Sequence, residues 1–203
     1  MNEKRTSMIA ICLTAVLAFS PAVSFAQSAT TFSGEAVALK ASAAGVSLAL
    51  ADTGPLPSSG GNLSTSVASV SVAGIASADT LSSSTSGSGA TSQSQSTLQD
   101  VNLVNGLVAA TAVKSNSSAT CSNGRAATSG NAQLVGLTVA GQSILVSNPN
   151  LSISLPGGIS VIINQQTSSS GGTSGSMTVN ALHVTGPGID VVVASAQSDI
   201  TCS

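Results

Sequence analysis

Hydrophobic and polar residues alternate with a period of two through most of the chain after the first 26 residues. Successive side chains of a β-strand point to opposite faces, so this pattern is typical of strands with one buried and one solvated face. Turn-forming residues separate the alternating segments, and none has a clear helical period, although the alanine-rich Leu107–Lys114 is ambiguous. The predicted strands are Glu35–Lys40, Gly45–Leu50, Val67–Val72, Leu98–Val104, Leu107–Val113, Leu134–Val139, Ile159–Asn164, Met177–Val184 and Ile189–Ala194.

These segments predict a single all-β domain over residues 27–203, with two packed antiparallel sheets in a β-sandwich-like arrangement. A β-solenoid or a β-prism is the alternative. A weak repeat favours hairpins, because Ser69–Ala78 is similar to Asp100–Ala110, and Gly136–Gly141 is similar to the first half of each. Each copy predicts a strand, a short glycine turn and a second strand.

Two stretches rich in Ser, Thr and Gly interrupt the series, at Ser82–Ser96 and Ser168–Ser176. Their composition is typical of flexible loops between strands, which is the interpretation we adopt. For Ala90–Ser96, a polar strand on an exposed sheet face is the alternative.

The composition limits what the domain can do. Aromatic residues make up 1% of the chain and charged residues 6%, so the core must consist of Val, Leu, Ile and Ala. Low charge excludes the basic surface that binding to nucleic acid or anionic lipid would need. It also removes the charges that usually protect edge strands, which favours self-association.

The N-terminus predicts an export signal over residues 1–26. Lys4 and Arg5 precede an apolar stretch from Met8 to Phe19, and Ser24-Phe25-Ala26 supplies small residues at a cleavage site. The apolar stretch is shorter than the ~20 residues of a membrane span, so no span is expected after cleavage. We expect the protein to be secreted or on the cell surface, with the periplasm as an alternative.

Two cysteines, Cys121 and Cys202, remain after the signal, and Cys12 would be removed with it. In an exported chain such a pair is more often one disulfide than two free thiols. The chain-entropy model gives a stabilisation of roughly 4 to 5 kcal/mol for a loop of this length. Two cysteines and the single His183 do not supply the four ligands of a structural zinc site, so no metal-binding residues are predicted.

Five ordered blocks run through the chain: Asp100–Ser115; Leu137–Gly141; Leu155–Gly158 with Ile162–Thr167; Val179–Val184; and Val191–Ala196 with Cys202. Together they resemble the bacterial family called choice-of-anchor P, and the resemblance extends over most of the chain from about Phe32 onward. It implies an exported bacterial protein of uncharacterised activity, from a family named for its varied C-terminal surface anchors. Here the sequence stops at Cys202-Ser203 without an apolar tail or sortase signal, so we expect release or retention by a partner.

Two segments contain residues of known catalytic motifs, but neither predicts an active site. Asp52-Thr53-Gly54 has the sequence of an aspartic-protease motif, but that chemistry needs two aspartates, and a turn explains the same residues. Ser195, His183 and Asp190 could be drawn as a hydrolase triad, but no GxSxG motif occurs. The alternation instead places His183 on the face opposite Leu182 and Val184.

Other binding chemistry has little support. The glycine pairs, such as Gly157-Gly158, lack the lysine and helix of a phosphate-binding loop, and the scattered aspartates form no calcium loop. We therefore predict no catalytic residues, no cofactor and a non-catalytic structural or adhesion protein. Its expected partners are further copies of itself or components of the cell envelope or extracellular matrix. The alternatives are a secreted hydrolase acting through Asp52 and a carbohydrate-binding module, against which the lack of Trp and Tyr counts.

Overall fold

The structure is a computed structural model that describes residues 29–43, 45–146 and 148–203, and its regular elements are all β-strands. In chain order they are β1 Thr31–Ala43, β2 Val46–Asp52, β3 Gly61–Val72, β4 Ala76–Ser88, β5 Thr91–Leu103, β6 Val108–Ser122, β7 Arg125–Val135, β8 Thr138–Val139, β9 Gln142–Ser143, β10 Leu151–Leu155, β11 Ile159–Gly171, β12 Ser174–Gly186 and β13 Ile189–Thr201.

The strands form two antiparallel sheets that pack face to face. The first sheet has the order β10-β11-β12-β13-β1-β2, and the second has the order β3-β4-β5-β6-β8-β9, with β7 also pairing with β6. Strands β1, β13 and β12 of the first sheet lie against β4 to β7 of the second. The predicted all-β, sandwich-like fold is therefore confirmed.

The first and last strands pair with each other inside the first sheet. The N-terminal β1 pairs with the C-terminal β13 over their whole length, from Thr31 opposite Thr201 to Ala43 opposite Ile189. Long hairpins build most of the rest, because consecutive strands pair with each other through short turns. The repeated segments around Gly74 and Gly106 are two of these turns, as the repeat predicts.

The interpretation of the two Ser-rich stretches as flexible loops is wrong. Ser82–Ser96 forms the end of β4, a tight turn at Gly89 and the start of β5, and Ser168–Ser176 forms the β11–β12 hairpin. The alternative of a polar strand for Ala90–Ser96 is correct from Thr91 onward, but only one side of that strand is exposed, because Ser92, Ser94 and Ser96 are buried. Leu107–Lys114 is also mainly strand, since it falls almost entirely within β6.

One end of the space between the sheets is an aliphatic core. Its side chains come from both sheets and are small or branched, so they fill a thin interior without aromatic rings. The largest fully buried members of this cluster are Leu39, Leu81, Leu98, Leu103, Ile163, Leu182, Val108, Val113 and Val161.

A layer of buried hydroxyl groups continues the interior beyond the aliphatic core. We call it the hydroxyl layer, and it consists of Ser83, Thr85, Ser92, Ser94, Ser96, Ser115, Ser117 and Ser198. Most of these groups bond to one another or to the facing sheet. Examples are Ser83 Oγ to Ser96 Oγ at 3.0 Å and Thr85 Oγ1 to Ser94 Oγ at 2.7 Å.

Bonds from the hydroxyl layer also cross between the sheets. Ser92 Oγ donates to the carbonyl of Ser33, and Ser94 Oγ donates to the carbonyl of Gln197. Ser117 Oγ lies 2.8 Å from Ser198 Oγ, which itself donates to the carbonyl of Ser117. Hydrogen bonding thus replaces hydrophobic contact as the link between the sheets here.

A small apolar cluster and the disulfide lie beyond the hydroxyl layer. Phe32 packs there with Leu56, Ala119 and Ile200. The predicted disulfide is present, with Cys121 and Cys202 bonded and their Cα atoms 5.6 Å apart. It ties the last residues of the chain to the end of β6.

Asn164 links the sheets near the aliphatic core. Its φ angle is 52°, a left-handed conformation that Asn tolerates better than most residues. Its Oδ1 accepts a hydrogen bond of 3.1 Å from the backbone N–H of Ala132 in β7 and another of 2.8 Å from Gln166 Nε2. The side chain therefore joins β11 to the facing sheet.

The predicted signal peptide, residues 1–26, lies outside the described residues. Within the described ranges, no helix is long and apolar enough to cross a membrane.

Candidate binding face

The outer side of the second sheet carries polar side chains in three straight rows, which we call the outer polar face. The pairing register of β3 to β7 sets each row, with one residue from each strand. Neighbouring strands are ~4.8 Å apart and successive rows are two residues, ~7 Å, apart. The rows are Asn62, Ser86, Gln93, Ser118, Ser129; Ser64, Ser84, Gln95, Asn116, Asn131; and Ser66, Ser82, Thr97, Lys114, Gln133.

A shallow depression of about 580 Å³ lies across the first two rows. Gln93, Gln95, Asn116 and Asn131 are its amide-bearing residues, and serines complete the lining. Each amide presents two N–H donors and one acceptor oxygen, and each hydroxyl both donates and accepts. The depression can therefore hydrogen-bond a ligand along a line that crosses four strands.

The amides of the depression are not engaged with other parts of the protein. Among the described residues, none of these four side chains takes part in an intramolecular hydrogen bond. Lys114, in the third row, is the one charged residue of the fifteen. The outer polar face is thus neutral over most of its area and has free bonding capacity.

The outer side of the first sheet differs, because several of its charged and amide side chains are paired within the protein. Lys40 Nζ lies 3.3 Å from Glu35 Oε1, and Gln197 Nε2 donates to Asp199 Oδ2 at 2.9 Å. Such pairing leaves fewer groups for a ligand, so the second sheet carries the better binding face.

His183 lies on the outer side of the first sheet, as the alternation predicts. Leu182 and Val184, its neighbours, are fully buried. His183 Nδ1 is 3.1 Å from Gln165 Oε1, which also accepts from Asn180 Nδ2 at 2.9 Å.

The residues of the hypothetical triad do not assemble into one. His183 Nε2 lies 3.3 Å from Asp190 Oδ1, but no hydrogen bond joins His183 to Ser195 in the described part of the chain. Ser195 lies opposite Asn180 in the β12–β13 pairing, whereas His183 lies opposite Val192. The imidazole is part of a polar cluster with Gln165 rather than a base next to a nucleophile.

Asp52 forms the turn that the sequence suggests. Its Oδ1 accepts a 2.8 Å hydrogen bond from the backbone N–H of Gly54, the geometry of an Asx turn, and Gly54 has a φ of 68°. Thr53 Oγ1 accepts from the N–H of Ala36 and donates to the carbonyl of Gly54. These bonds explain Asp52-Thr53-Gly54 as a fold element.

The remaining acidic residues are dispersed. Over residues 29–43, 45–146 and 148–203, no three His, Cys, Asp or Glu side chains come together in a way that could hold a metal ion. Gly157 and Gly172 have positive φ angles in hairpin turns. The turn conformation therefore explains these glycines, and a phosphate-binding role is not needed.

Comparison with known proteins gives no relative: no family model, no curated protein and no solved structure matches this chain. The likeness to the choice-of-anchor P family therefore stays a sequence resemblance. Sequence reasoning did not identify the four amides of the depression as a set. The available signal was the alternation of Ser and Gln from Ser92 to Ser96, which predicts one polar strand but not its partners.

Proposed function

We propose that this protein is an exported, non-catalytic adhesion protein that binds a neutral, hydroxyl-rich polymer of the cell envelope or extracellular matrix through its outer polar face. The observation that carries the proposal is the register of the three rows across β3 to β7, together with the four amides of the depression, whose side chains make no hydrogen bonds to other described residues. Neutral polymers such as polysaccharides present closely spaced hydroxyl groups that pair with amides and serines.

The electrostatics support a neutral ligand. Binding to an anionic polymer would call for a cluster of basic residues, and the fifteen row positions contain only Lys114. Each neutral hydrogen bond at an exposed site contributes about 1 kcal/mol or less, so useful affinity requires many parallel contacts. A repetitive polymer laid across a repetitive face supplies them.

The disulfide supports export to an oxidising compartment, because such bonds rarely persist in the cytosol. The proposal assigns no catalytic role to His183 or Asp52, since both are hydrogen-bonded within the fold. Binding to the polymer would then retain the protein at the surface.

Co-sedimentation with washed cell envelopes of the host tests the proposal. The variant Gln93→Ala/Gln95→Ala/Asn116→Ala/Asn131→Ala removes the amides of the depression, and we expect it to lose most of the sedimented fraction. The matched control removes polar groups from the outer side of the first sheet by Thr167→Ala/Thr178→Ala, a pair that lies opposite in β11 and β12.

The control variant should sediment like the wild type. Equal binding by all three proteins would overturn the assignment of the face, and absence of wild-type binding would overturn the adhesion function. Competition by soluble neutral polysaccharide, but not by a polyanion such as heparin, is the further expected result.

A further inference from the structure

The sandwich has several sheet edges, and they differ in how they are protected. An exposed edge strand presents unpaired backbone N–H and C=O groups to other chains. In the first sheet, β10 has only five residues and is flanked by Pro149 and Pro156. On the opposite side, β2 ends at Asp52 and is followed by Pro55 and Pro57, which cannot donate backbone hydrogen bonds.

The segment after β2 extends this protected edge. The N–H groups of Thr53 and Leu56 donate to β1, at 3.0 Å and 2.8 Å, and the N–H of Phe32 in β1 donates to the carbonyl of Ser58. This edge therefore offers a partner strand only the seven residues of β2 before the prolines interrupt the row of donors, against twelve residues in β3.

Strand β7, at one edge of the second sheet, is partly occupied by the facing sheet. The N–H of Ala126 donates to the carbonyl of Gly172, and the N–H of Ala132 donates to Asn164 Oδ1. The strand also begins with the charged Arg125. Part of its free bonding capacity is thus already used.

Strand β3, at the other edge of the second sheet, has no such protection. It is 12 residues long and contains neither proline nor a charged residue. Within the part of the chain that the structure describes, the backbone groups from Asn62 to Ser71 bond only to β4. Its inward side chains Leu63, Val67 and Val70 are only half-buried, so an apolar strip borders the open edge.

We propose that β3 pairs with β3 of a second copy of this chain, in antiparallel orientation about a twofold axis. An open edge selects an extended strand as its partner, and the lack of charge means that two identical strands meet without repulsion. The contact would also cover each half-exposed apolar strip with the same strip of the second copy. A twofold contact uses the same surface on both copies and therefore closes as a dimer.

The dimer would join the two second sheets into one continuous sheet. Their outer polar faces would then lie side by side, which lets one polymer contact both and increases the overall affinity through bivalency. This consequence rests on the proposed function, whereas the pairing itself does not.

The molar mass of the purified protein, measured by light scattering over two decades of concentration, tests the pairing. The variant Ser64→Lys/Ser66→Lys places lysines on exposed positions of β3. The matched control Ser82→Lys/Ser84→Lys adds the same charge on β4 in the same two rows, one strand from the edge. A circular-dichroism melt of each variant verifies that it folds.

We expect the wild type and the β4 variant to reach twice the monomer mass. In the β3 variant the dissociation constant should rise at least about tenfold. The second expected result concerns hydrogen exchange. The β3 amides of the wild type should become more protected as the protein concentration rises, whereas those of the β3 variant should not. A wild type that stays monomeric, equal weakening by both variants, or open-ended assemblies would overturn the proposal. The mass is measured without polymer, so this test is separate from that of adhesion.

Discussion

Two buried serines, Ser198 in β13 and Ser115 in β6, should respond in opposite ways to replacement by alanine. Ser198 accepts a hydrogen bond from Ser117 Oγ and donates to the carbonyl of Ser117, and it is fully buried. Ser115 in β6 is also fully buried, but its Oγ has no hydrogen-bond partner among the described residues. By contrast, the hydroxyl of Ser117, two residues further along β6, is bonded to Ser198.

The expected magnitudes follow from these bonds. Ser198→Ala removes two hydrogen bonds and leaves Ser117 Oγ buried without a partner, which should lower the free energy of unfolding by about 1 to 3 kcal/mol. Ser115→Ala removes an unpaired buried hydroxyl, so stability should stay the same or rise by about 1 kcal/mol. The double variant Ser117→Ala/Ser198→Ala should be more stable than Ser198→Ala, because neither polar group is left alone.

Urea unfolding followed by circular dichroism measures these differences with the disulfide intact. For a slope of about 2 kcal/mol/M, a gap of 2 kcal/mol between the two single variants separates their midpoints by about 1 M. If Ser115→Ala lost as much stability as Ser198→Ala, or if the double variant were the least stable, the account of the hydroxyl layer would be refuted.

Three further predictions concern the scaffold. Replacing Cys121 and Cys202 by serine should lower the free energy of unfolding by about 4.5 kcal/mol in the chain-entropy model, measured by urea unfolding against the oxidised wild type; a loss below 1 kcal/mol would contradict it. Asn164→Ala should destabilise more than Asn164→Gly by about 1 kcal/mol, because the left-handed φ costs alanine but not glycine; thermal melts showing the reverse order would argue against that backbone. Gly34→Ala should cost about 1 to 3 kcal/mol, since its Cβ would lie 2.8 Å from Thr85 Oγ1 and 2.9 Å from a carbonyl oxygen of β13; an unchanged melting temperature would show that the sheets can separate there.

Most strands with one apolar face could be predicted from the sequence, and the central residues of each lie in the predicted segment. The prediction of one strand over Leu134–Val139 is wrong, because β7 ends at Val135 and the chain bends at Gly136 before β8 begins. Met177–Val184 lies within β12 and Ile189–Ala194 within β13, although both strands extend further. The hydrophobic pattern does not predict the ends of these two strands, because hydroxyl groups replace aliphatic side chains at inward positions such as Ser198. The disulfide and the outward direction of His183 were also predictable, since each depends on local chemistry or alternation.

The serine strands could not be predicted in the same way. In Ser82–Ser88 both faces are polar, so the sequence has no hydrophobic alternation to mark the buried side. Ser83 and Thr85 are buried because partners on β5 satisfy their hydroxyls, and those partners are contributed by a different strand.

The outer polar face depends on register across several strands, which is non-local information. Gln95 and Asn116 become neighbours only through the β5–β6 pairing, and Asn131 joins them through β7. A single sequence predicts polar strands but not the alignment of their side chains into rows. The candidate binding face therefore could not be predicted from the hydrophobic and polar pattern of the sequence.

The central claim is that ligand binding takes place on the outer side of the second sheet. Hydrogen-exchange mass spectrometry of the protein with and without washed host envelopes measures this most directly. The account predicts that envelope-dependent protection concentrates in β4 to β7, with β11 to β13 unchanged. Protection concentrated in β11 to β13, around His183, would contradict it.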